Sequence, residues 1–272
     1  MSQDARPRVK FASPPVMEVV CGVAFSLPRA MRTADVGKFW GQIDGSFPTL
    51  QEVAPLPPVI ENLSEFQQPV LGAEFVDMPP LRRSWFISPD GRFLAQLQDD
   101  RFIFNWRRLP EDGAEVYPGF EAVMEGFWGG WEKFAAFAAS GDLGAPTILQ
   151  AEVTYINALE HATGFDVGAL LTDHQVHQDS SRFLPLPERI NWQTSYRLPD
   201  DQGRLHVVAQ TAMKTSTREP LVRLELTARG LPLDCSDEGL KRWQWLGHDW
   251  VTHGFADVTS AAAQTHLWKR SL

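Results

Sequence analysis

At 272 residues, 43% of them apolar, the chain can bury one large core or two modest ones, and it needs no covalent staples to do so. Its two cysteines, Cys21 and Cys235, stand far apart without CxxC spacing, which excludes a disulfide framework and a structural zinc site and reads as two reduced thiols. A formal charge of −9, from 25 basic and 34 acidic side chains, argues against duplex nucleic acid as partner, since the densest basic cluster is only Arg101, Arg107 and Arg108.

In chain order, the N-terminus has no apolar leader, and no later run approaches the roughly 20 apolar residues of a membrane helix. The expectation is a soluble, cytoplasmic protein. VMEVVCGVAF over 16–25 reads as a strand, rich in β-branched residues and interrupted only by Gly22. Cys21, in mid-strand, is expected to be a buried, inert thiol. A short helix follows, with Asp35 placed to cap ADVGKFWGQI and Val36, Phe39 and Trp40 on one side. Residues 48–80 carry prolines at 48, 55, 57, 58, 69, 79 and 80 and no sustained period. They predict a long surface connection that either acts as a lid or wraps the body.

RRSWFIS, FLAQLQD and RFIFNWR, separated by turns at Pro89-Asp90-Gly91 and Asp99-Asp100, predict an antiparallel meander. A helix over 119–138 should then bury Phe120, Val123, Phe127, Trp131 and Phe134. Gly129 and Gly130 inside it each cost about 1 kcal/mol relative to alanine, which implies a close neighbour there. After a linker at 141–146 the order repeats. ILQAEVTYINAL is a strand, FDVGALL a short helix, and RINWQTSYRL, RLHVVAQTAMK and PLVRLELTAR a second meander. A last helix from about Ser236 carries Leu240, Trp243, Leu246, Trp250 and Val251, with Gly247 and Gly254 beside them. The fold class that follows is α+β. Two β-α-β-β-β-α units, 1–145 and 146–272, form an internal duplication in one compact body, with antiparallel sheet and long helices on one face. The ten tryptophans read as core residues.

Strand alternation puts Glu18, Gln96, Gln98, Asn105, Arg107, Glu152, Thr154, Gln210, Arg223 and Glu225 opposite Val19, Leu97, Phe104, Val153, Leu224 and Leu226. The polar set should share the face that the helices leave open. Amides and a guanidinium on neighbouring strands can hold a planar or anionic group, so Glu18, Gln96, Gln98, Asn105, Arg107 and Glu152 are the candidate binding residues. Asn157 joins them only through a local twist or bulge, because it alternates onto the other face. The same pattern also fits a solvated sheet face or a buried network joining the halves.

Asp173, His174, His177 and Asp179 have metal-like spacing but lack further nameable ligands, and His248 and His253 read as ordinary helix residues. GxSxG, P-loop, dinucleotide GxGxxG, HExxH and CxxC patterns are missing, and no cofactor, metal or catalytic residue is assigned.

Several runs are similar to those of a sporadically distributed bacterial protein family of about this length. They are Pro14-Pro15-Val16 with Glu18-Val19-Val20-Cys21-Gly22-Val23 and Phe25, Gln96-Leu97-Gln98 with Arg101-Phe102 and Asn105-Trp106-Arg107, Thr154-Tyr155-Ile156-Asn157, and the C-terminal Trp250, Phe255 and Trp268. The resemblance spans nearly the whole chain. It carries no catalytic or ligand residue across, and the family's patchy distribution implies mobile genes such as those of phage defence or stress response.

The resulting expectation is a non-enzymatic protein that grips a small ligand or a protein partner with its polar sheet face and the 48–80 segment; a homodimer is left open. The alternative is an enzyme acting on a small anionic or nucleotide-like substrate between the halves, with Glu18 or Glu152 as general base and Arg107 as anion clamp. A third reading, single-stranded nucleic acid stacked on Trp106 and Phe104 beside Arg107, is weakened by the acidic balance.

Overall fold

The computed structural model describes residues 8–63, 81–113, 116–160, 170–172, 183, 189–214 and 217–271. Among them one antiparallel sheet has the order β3-β4-β5-β6-β2-β7-β10-β9-β8. Its strands are β2 (Val16–Ser26), β3 (Thr49–Val53), β4 (Arg83–Ile87), β5 (Phe93–Gln98), β6 (Arg101–Arg107), β7 (Thr147–Leu159), β8 (Asn191–Arg197), β9 (Arg204–Met213) and β10 (Pro220–Gly230). Strands β2 and β7 pair directly at its centre. From that seam the remaining strands run outward in reverse chain order on both sides, β6-β5-β4-β3 on one and β10-β9-β8 on the other. A minor ribbon joins β1 (Lys10–Phe11) to β11 (Arg270–Ser271), tying the chain's two ends together.

Period-two alternation sends Val19, Cys21, Val23 and Phe25 of β2 toward the helices, together with Phe102, Phe104 and Trp106 of β6, all buried. α2 (Phe120–Ser140) lies on β2 and β6, while α3 (Asp237–Val258) lies on β7, β9 and β10. Trp128 of α2 donates its indole N–H to Gln244 of α3 at 2.9 Å, joining the two long helices. The predicted stripe of α2 is fully buried, and α3 buries Leu240, Trp243 and Val251, whereas Leu246 and Trp250 are only half-buried. Ser236 caps α3 by accepting the Gly239 N–H, as its position predicts. A short α4 (Ala261–His266), unforeseen in the sequence, follows.

Three expectations are corrected. α1 (Thr33–Ile43) starts two residues before Asp35, which sits inside the first turn, accepts the Arg32 N–H at 2.9 Å and pairs with Arg29 at 3.0 Å. The close approach to α2 is made at Gly126 and Gly130, whose positions abut the rings of Phe104 and Phe102; Gly129 faces open space. Residues 48–80 are not wholly without structure, because 49–53 form the edge strand β3 against β4. The part of that segment described beyond β3, residues 54–63, does wrap the body. The short helix expected over FDVGALL falls mainly outside the described residues, as do Asp173, His174, His177 and Asp179. No helix among the described residues is long and apolar enough to cross a membrane.

Candidate functional site

On the sheet face away from the helices, alternation gathers six of the seven candidate residues: Glu18 on β2, Gln96 and Gln98 on β5, Asn105 and Arg107 on β6, Glu152 on β7. This face is not open. Gln96, Gln98 and Asn105 are only 6%, 3% and 2% exposed. Residues 54–63 cross the face as a strap. Gln98 brackets it by accepting the Leu56 N–H at 2.8 Å and donating to the Leu56 carbonyl at 3.0 Å. Gln150 does the same with the Glu61 N–H and the Val59 carbonyl. At the far side Glu61 accepts from Arg204 and meets His206 at 2.8 Å. Burial raises the Glu61 carboxyl, but hydrogen bonds from His206 and Arg204 more than offset it and leave the group below its ordinary range.

Three of the candidates form one directed chain. Asn105 donates through Nδ2 to Glu18 Oε1 at 2.5 Å and accepts, through Oδ1, from Gln96 Nε2 at 2.7 Å. A carboxylate can only accept, so an ionised Glu18 fixes the orientation of both amides and turns the Gln96 carbonyl oxygen outward from the chain. That oxygen is buried and has no hydrogen-bond partner among the described residues. Burial raises the Glu18 carboxyl above its ordinary value, against the pull of the Asn105 hydrogen bond and of the Arg107 and Arg223 charges.

Two further buried groups beside Gln96 also lack partners among the described residues, the Trp85 indole N–H and Nε of Arg83. Trp85 is the cross-strand neighbour of Gln96, and Arg83 lies two residues along β4 on the same face, its guanidinium 5.5 Å from the Trp85 ring centre. Burial and the nearby Arg101 charge lower the Arg83 pKa, and Arg83 has no carboxylate partner among the described residues. The site thus offers two donors, one acceptor and a half-buried positive charge.

The other candidates are occupied. Gln98 holds the strap. Arg107 donates to the Gly91 carbonyl at 2.8 Å and so braces the β4–β5 turn. Glu152 is paired with Arg229 at 2.7 Å, and Thr154 with Thr227. Asn157 lies on the helix-covered face, where Nδ2 donates to the Leu224 carbonyl at 3.2 Å. A bulge does interrupt the β2–β7 register between Val16 and Glu18, but it leaves Asn157 on that side. Arg101 and Arg108 spend themselves on Asp100 and the Pro14 carbonyl, so the basic cluster is not a free patch. Phe104 and Trp106 are 3% and 1% exposed beneath α2, which removes the surface that the single-strand reading requires. Cys21 is fully buried, and desolvation raises its thiol pKa, as expected for an inert group. No cluster of three or more metal-ligating side chains occurs among the described residues.

Arg83 and Trp85 escaped the sequence reading although extending the alternation to RRSWFIS would have put them on the polar face. Gln150, Arg204 and His206 share the alternation of Glu152 and Gln210, but their role depends on the path of the strap, which the sequence does not give.

Comparison with known proteins finds no matching family model, curated protein or solved structure. The chemistry of the site therefore stands on its own residues.

Proposed function

We propose that the protein binds a small anionic ligand on this polar face, between β4, β5 and the Glu18 chain, with the strap closing the site along one side. The reading rests on three buried polar atoms on neighbouring strands that lack partners: Trp85 Nε1, Arg83 Nε and Gln96 Oε1. A network serving only the fold would satisfy them, since each unpaired buried group costs about 1–3 kcal/mol. A ligand with anionic or carbonyl oxygens for the two donors and one N–H or O–H for Gln96 would satisfy all three. The similar strand order on both sides of the β2–β7 seam supports a further part of the reading, that 1–145 and 146–272 derive from one duplicated unit.

A catalytic version has one observation in its favour, the raised carboxyl of Glu18, which suits a general base. In that version Glu18→Gln keeps binding and loses turnover.

The test is a thermal-shift screen with small carboxylates, phosphates and nucleotides, run on the wild type and on Arg83→Ala. At least one class should raise the melting temperature of the wild type, as any ligand of the folded state does, and leave the variant unshifted. Absence of any wild-type shift at millimolar concentrations, or equal shifts in both proteins, contradicts the proposal.

A further inference from the structure

On the opposite face of the sheet, a cavity of about 370 Å³ lies where the N-terminal segment, the start of α2 and the middle of α3 meet. This falls at the lower end of the ~300–1,000 Å³ typical of pockets for small organic ligands. Its walls include five Phe and Tyr rings, Phe11, Tyr117, Phe120, Tyr155 and Phe255, together with Val16 and Val251. Ring faces and edges of this kind suit a flat ring better than a flexible chain.

Its polar groups are fixed in place. The Tyr117 and Tyr155 hydroxyls are 2.9 Å apart, and the Tyr155 hydroxyl is 3.0 Å from His248 Nδ1. The His248 ring stacks on Phe120 with centroids 4.2 Å apart and planes 3° from parallel. Burial, then the Arg8 charge and His253, lowers the His248 pKa to about 3, so the imidazole is neutral across the working range. Burial raises both tyrosines, so their hydroxyls stay protonated. Nothing in this chain needs an ion to complete it, and its polar atoms are held for hydrogen bonding to a neutral part of a ligand.

Charge sits at the rim. Arg8 and Lys10 line the cavity and outnumber Glu121. Arg8 is shared with Asp249 at 3.7 Å, whereas Lys10 is exposed and has no ion-pair partner among the described residues. Residues 118–121, the entry into α2, complete that rim, and Gly119 at the N-cap has no side chain with which to cap the helix. A 21-residue helix then turns its positive dipole end to the same opening, with Glu121 in its first turn.

We propose that this cavity is a second ligand site that takes a small aromatic carboxylate, with the ring among the aromatic walls and the carboxylate at the start of α2 beside Lys10. It is distinct from the Glu18 face, from which the sheet separates it, so neither proposal depends on the other.

The experiment is calorimetric titration of the full chain with phenylacetate and indole-3-acetate, and with their neutral amides. Lys10→Glu reverses the exposed rim charge. Thr252→Trp fills the cavity from α3, where the Thr252 hydroxyl bonds to carbonyls of its own helix, at 3.0 and 3.2 Å. The expected result is binding of at least one acid, weakened tenfold or more in each variant and in the matching amide, and unchanged in Arg83→Ala. Loss of binding in Arg83→Ala, equal binding of acids and amides, binding indifferent to both variants, or no binding at millimolar concentration would each overturn it.

Discussion

Glu18 occupies a position that a fold alone would fill with an uncharged residue. It is half-buried on the sheet face, and burial raises its carboxyl pKa. For an acid whose folded value lies above its unfolded value, the folded state holds the proton more tightly. Stability therefore falls as pH rises from the ordinary glutamate range through the raised value, and above that the full cost of the charge is present. Glu18→Gln removes this slope while its side-chain oxygen can still accept from Asn105. Chemical denaturation between pH 4 and pH 8 should show the variant equal to the wild type or more stable at the upper end, with a flatter profile. An equally steep profile would place the titrating group elsewhere. Asn105→Ala should behave differently, since it strands both Glu18 and Gln96 and should cost about 1–3 kcal/mol.

At the scale of elements, the strands were legible because alternation and turn chemistry agree. RFIFNWR matches β6, and FLAQLQD and VMEVVCGVAF match β5 and β2 to within one residue. Placement on a face was equally legible for Glu18, Gln96 and Asn105. What periodicity does not carry is what covers a face, so burial of this one stood as one of two readings beside a solvated face, and the path of the proline-rich strap was not legible. Nor does it say which glycine of a cluster is needed. In α2 the requirement falls on Gly126, where an added Cβ would stand 2.3 Å from the Phe104 ring. Gly126→Ala should destabilise by about 1–3 kcal/mol through overpacking. Gly129→Ala, at an exposed position with no neighbour within 4 Å, should stabilise by about 0.5–1 kcal/mol. Thermal unfolding of the two variants distinguishes them by sign. His248 was passed over for a related reason: helical spacing set it apart from His253, but it gave no hint that Tyr117, Tyr155 and Phe120 converge on its ring.

Over the whole molecule, the described parts of 1–145 and 146–272 are joined on both faces of the sheet. Beneath the helices, β2 pairs with β7 and Trp128 reaches Gln244. Across the polar face, the strap leaves the first half and ends on Gln150, Arg204 and His206 of the second. Glu61 is the anchor of that end, and its carboxyl titrates below its ordinary value. Such a group contributes stability above its unfolded value and loses it as pH falls through the folded one. Glu61→Gln should cost about 1.5–3 kcal/mol at neutral pH, as for hydrogen bonds to charged groups. The difference from the wild type should shrink on acidification, as followed by urea unfolding at pH 7 and pH 4. The strap thus ties β5 to β7 and β9 across the polar face.

The unpartnered indole N–H of Trp85 is the most direct handle on the proposed ligand site, and Trp85→Phe removes it while keeping a ring beside Arg83. The melting temperature of this variant, with and without the anion selected on the wild type, is the decisive measurement. If the N–H is reserved for a ligand, the free variant melts within ~2–4 °C of the wild type, equivalent to about 1 kcal/mol, and its ligand-induced shift is lost. A variant that melts far lower on its own but keeps the shift would mean that Trp85 serves the fold and that the site lies elsewhere.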